Sequence, residues 1–104
     1  MNKDAFQDML QDKEVLRKEL TEVINRWMQR QACVDEPEIA IGMAVGAAAE
    51  TMADYTASYS YMHKFSDEWS RVCIESNAKL FATTHLFHIK ELRRLFGSED
   101  KPSN

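Results

Sequence analysis

The stretch Ile39–Glu50, IAIGMAVGAAAE, carries no charge from Ile39 to Ala49 and places two glycines, Gly42 and Gly46, four residues apart. Three readings compete for it: a membrane span, a close helix–helix seam, or the inside of a bundle. A span needs about 20 apolar residues to cross the hydrocarbon layer, and this run is shorter. Glu50 and Asp54 then follow one helical turn apart. A membrane segment is therefore not expected, and the stretch reads as helix packing.

Within it, two rows run side by side. Ile41, Val45, Ala48, Met52, Tyr55, Tyr59 and Met62 alternate at three and four residues, the period of a helix seam. Beside them lie Gly42, Gly46, Ala49, Ala53 and Ala57, all small. A glycine inside a helix costs about 1 kcal/mol relative to alanine. Close approach of a second helix backbone offsets such a cost. Gly42, Gly46, Ala49 and Ala53 are accordingly the expected homodimer contact. Tyr55 and Tyr59 belong to the seam and are expected in the core, their hydroxyls at its edge.

The flanking segments are helical too. Phe6, Met9, Leu16, Leu20, Val23 and Trp27, completed by Lys13 and Arg30, keep a heptad alternation, widened by Leu10 and Ile24. Asn2 is placed to cap this helix, and Glu14–Lys18 and Glu22–Arg26 have the spacing of supporting ion pairs. Pro37 suits the first position of the next helix, with Asp35 or Glu36 ahead of it. Ser66 is a good N-cap, and Asp67 and Glu68 suit the start of a third helix. That helix carries Trp69, Cys73, Ser76, Leu80, Thr83 and Phe87 on one row and Ile74, Ala78, Phe81, His85, Ile89, Leu92 and Phe96 on another. Gly97 is placed to end it, with Arg93 and Arg94 in the last turn.

The expectation is an all-α fold: an antiparallel three-helix bundle of helices at about 3–32, 37–64 and 67–96, in one domain over 1–97, with 98–104 a disordered polar tail. The alternative merges the second and third helices into one long helix within an intertwined oligomer, because no glycine or proline lies between Gly46 and Gly97. Three glycines and two prolines in 104 residues favour long helices in either arrangement.

Chemistry is sparsely signalled. His85 and His88 share a helical face at a spacing that can grip a metal, but no third ligand accompanies them at a recognisable spacing. No metal and no cofactor are expected. No acidic residue precedes a histidine by three, which argues against a di-iron bundle. Cys73 lies on a seam, and the acidic neighbours of Cys33, Asp35 and Glu36, disfavour its thiolate. Whether the two cysteines pair is left open. There is no Gly-rich phosphate loop, no GxSxG and no CxxC, so an enzyme is not expected. The net charge of −4 and a basic cluster confined to Lys90, Arg93 and Arg94 argue against nucleic acid. The charged N-terminal stretch lacks the apolar core of a secretory leader, and a cytoplasmic location is expected.

Tyr61 and Phe65 stand off the seam, beside His63 and Lys64 at the expected corner. Aromatics in a mixed polar setting resemble protein-binding hot spots, although they would equally cap a bundle end. The functional expectation is a small non-enzymatic protein acting through protein–protein contacts, as a homodimer. Adaptors, regulators and inhibitors fit, including phage-type inhibitors of a host system. The alternative is a small-molecule or nucleotide-binding bundle whose pocket uses the Gly/Ala row and the tyrosines.

Overall fold

The computed structural model describes residues 2–31 and 35–97. Among them there are three helices and no strand: α1 (Lys3–Arg30), α2 (Pro37–His63) and α3 (Asp67–Phe96). The residues expected to tail off, 98–104, lie outside the described residues, as do Ala32 and Cys33.

Local chemistry sets the helix ends. The Asn2 side chain accepts a hydrogen bond from the Ala5 backbone N–H at 2.7 Å, which satisfies one of the four unpaired donors of the first turn. Ser66 does the same for α3, accepting from the Trp69 N–H at 3.0 Å. Pro37 opens α2, where its missing N–H costs nothing.

The α2–α3 boundary is built by a residue that is not glycine. Lys64 has φ of 56°, in the left-handed region. The Phe65 N–H then donates back to the Ser60 carbonyl at 3.0 Å. This six-to-one bond across a left-handed residue is the Schellman stop. The second and third helices are thus separate, and the merged helix is not what the chain forms. At the other end, Gly97 closes α3 with φ of 83° and ψ of 155°, a conformation essentially reserved for glycine.

The backbone divides into two compact units, Met1–Asp54 and Tyr55–Asn104, with the boundary inside α2. In the first unit, burial is concentrated where α1 ends and α2 begins. Ala40 is 5 % exposed, and Trp27, Met28, Gln31, Ala44 and Gly46 are half-buried. The rest of α1, from Lys3 to Arg26, is exposed along its whole length, seam included. In the second unit, the end of α2 and the start of α3 meet through the Ser60 and Ser70 hydroxyls, 3.2 Å apart, and through aromatic rings.

The apolar rows are present, but each helix largely keeps its own uncovered. Leu16, Leu20, Ile41, Val45, Phe81 and Leu92 are all exposed. Tyr55 and Tyr59, expected in the core, are exposed as well. Several ion pairs lie within single helices: Arg71 with Glu68 at 2.8 Å and Glu75 at 3.0 Å, Arg94 with Glu91 at 2.9 Å, and Arg17 with Glu14 at 3.9 Å. Solvent-exposed pairs of this kind contribute roughly 0.3–0.5 kcal/mol each.

Candidate protein-contact site

The α2–α3 corner arises from the backbone stop just described. Because Lys64 turns the chain left-handed, Phe65 leaves the helix and falls back beside the last turn of α2. Tyr59, His63, Phe65 and Trp69 then form a column of rings. Tyr59 and His63 stack at 5.5 Å, His63 and Phe65 at 5.8 Å, and Phe65 and Trp69 meet tilted at 4.6 Å. Aromatic pairs at these separations contribute about 0.5–1.5 kcal/mol beyond the area they bury. This column runs from the last turn of α2 to the first turn of α3.

The two corner aromatics differ in their surroundings. Phe65 sits between two rings and is 41 % exposed. Tyr61 is 88 % exposed, on the rim of an open hollow that it shares with Lys64, Phe65 and Asp67. Phe65 therefore has a structural task, whereas Tyr61 is presented to solvent. Spacing alone could not separate them, because the column depends on the left-handed turn at Lys64.

Gly42 and Gly46 lie on the first unit's part of α2. A side-chain carbon added at either would meet no atom within 4 Å. The small row, with Ala49 and Ala53, is thus an open face of the helix rather than a filled contact.

Elsewhere, His85 and His88 are exposed, His88 lying edge-on to Phe87 at 5.8 Å. Among the described residues no three of His, Cys, Asp and Glu come together in a group able to hold a metal ion. Cys73 is half-buried and free, with Asn77 donating to its carbonyl at 2.8 Å. Among those residues, too, no helix is long and apolar enough to cross a membrane.

Comparison with known protein families, with curated proteins and with solved structures finds no match for the chain.

Proposed function

We propose that this protein acts through protein–protein contacts and not by catalysis, working as a homodimer that presents the α2–α3 corner to a protein partner. The observation that carries this reading is the exposure of apolar rows along helices whose ends are well capped. Soluble monomers rarely leave contiguous apolar patches larger than a few hundred Å² uncovered, and larger ones mark interaction sites. Gly42, Gly46, Ala49 and Ala53 permit a close helix approach, which suits a two-fold self-contact in which the same patch meets itself. Tyr61, exposed on a corner held by other rings, has the character of a binding anchor. An adaptor, regulator or inhibitor is the corresponding class.

The near-equal lengths of the three helices also favour closure into an antiparallel bundle within one chain. In that arrangement α1 would cover the rows of α2 and α3, and self-association would be dispensable.

The test is affinity purification from the native host with wild type and Tyr61→Ala in parallel. A stoichiometric protein partner that is retained by wild type and lost by Tyr61→Ala is expected. A co-purifying small molecule with no protein partner would overturn the reading.

A further inference from the structure

We infer that α1 pairs with the α1 of a second copy as a parallel, in-register coiled coil. The inference deepens the protein-contact reading and rests on it, naming the partner of one particular face. The seam is Phe6, Met9, Lys13, Leu16, Leu20 and Val23, which occupy alternating core positions of two and a half heptads before Trp27 enters the α1–α2 corner. All six are exposed.

The charges beside the seam select the occupant and its direction. In a parallel pair, each residue at the trailing edge of one heptad faces the partner's residue five positions later. Here that rule brings Asp12 to the partner copy's Arg17, twice by symmetry. The other flanking pairs, Ala5 with Leu10, Glu19 with Ile24 and Arg26 with Gln31, bring no like charges together. Lys13, the one charge at a core position of the exposed seam, reaches along its flexible stem toward the partner's Asp12. A single polar core residue of this kind fixes register.

The antiparallel pairing of full overlap is worse. Over the exposed seam it sets Phe6 against Val23 and Lys13 against Leu16, and it brings Asp12 beside the partner's Glu19, two like charges, twice by symmetry. The side chains of Asp12 and Lys13 have no hydrogen bond or ion pair among the described residues, and Arg17 has the long, exposed Glu14 contact. Both members of the intermolecular pair are therefore available.

Two variants of the full chain test this. Asp12→Arg places two arginines opposite each other in its own dimer, and Arg17→Glu places two carboxylates there. Each is expected to weaken self-association about tenfold at low salt, and an equimolar mixture is expected to form the mixed dimer preferentially, where both pairs are opposite in sign. Direction is read separately. Met9→Cys, with Cys33→Ser and Cys73→Ser, is expected to yield a disulfide-linked dimer on mild oxidation, because Met9 faces its own copy only in the parallel register. A wild-type dimer in which neither the charge variants nor Met9→Cys has an effect would overturn the α1 pairing and leave the protein-contact reading standing. A wild-type chain that stays monomeric would overturn both the pairing and the homodimer.

Discussion

Leu20 offers the sharpest single perturbation. It lies at mid-seam on α1 and is 51 % exposed within its own chain. Fully burying a leucine side chain stabilises by about 2 kcal/mol, so the uncovered half leaves about 1 kcal/mol per chain for a partner to supply. Two-fold symmetry doubles this to about 2 kcal/mol per dimer, a change of about 30-fold in the dissociation constant. Leu20→Ala keeps high helix propensity, so α1 itself should persist. Sedimentation equilibrium on wild type and variant should show the dimer weakened by about that factor, and the variant's melting temperature should depend on concentration more steeply at low dose. A dissociation constant unchanged within about threefold would remove Leu20 from the interface, since the uncovered half alone predicts more than this. A melting temperature lowered equally at all concentrations, with no change of mass, would place the seam inside one chain.

Other substitutions probe the remaining faces. Gly46→Leu should weaken self-association while α2 stays helical by circular dichroism, because leucine restores propensity and blocks close approach; an undiminished dimer would exclude the small row from the interface. Tyr61→Ala should change stability by under about 0.5 kcal/mol, whereas Phe65→Ala should cost about 1–2 kcal/mol through the lost ring contacts, both read by urea denaturation. Equal losses would return Tyr61 to the packed corner. Lys64→Gly should stabilise by roughly 0.5–1 kcal/mol, since glycine takes the left-handed conformation without the penalty borne by lysine. A loss of stability there would show that the lysine side chain contributes more than its backbone strain costs.

Helix ends were the most legible feature of the sequence, because their causes are local. Asn2, Pro37 and Ser66 stand where the capping rules place them and the structure uses each so, while Gly97 ends α3 as its C-cap, in an extended positive-φ conformation and not as a left-handed C′ residue. The stop at Lys64 was harder to foresee. A left-handed stop usually carries glycine or asparagine, so a lysine there gives no signal. The cues to a break lay on its far side, in Ser66, Asp67 and Glu68, while the lack of glycine or proline between Gly46 and Gly97 kept a continuous helix as the alternative.

Packing was less legible. A helical period tells which face is apolar and says nothing of what covers it, which is why Tyr55 and Tyr59 read as core and stand exposed. The surface pairs shifted for a related reason. Glu14 meets Arg17 at three residues' spacing, where the sequence suggested Lys18 at four, since both neighbours are within reach on a helix surface. At the corner, Tyr61 and Phe65 were visible as aromatics off the seam. Their different tasks became visible only with the turn that moves Phe65 between His63 and Trp69.

The central claim is that a second copy covers apolar surface that the single chain leaves open. Sedimentation equilibrium of the unmodified full chain, from about 1 to about 100 µM at physiological salt, tests it most directly. The account predicts a mass of twice the 12.0 kDa chain, or a multiple of that dimer, with dissociation at the lowest concentrations. A folded species of 12.0 kDa at every concentration would contradict it.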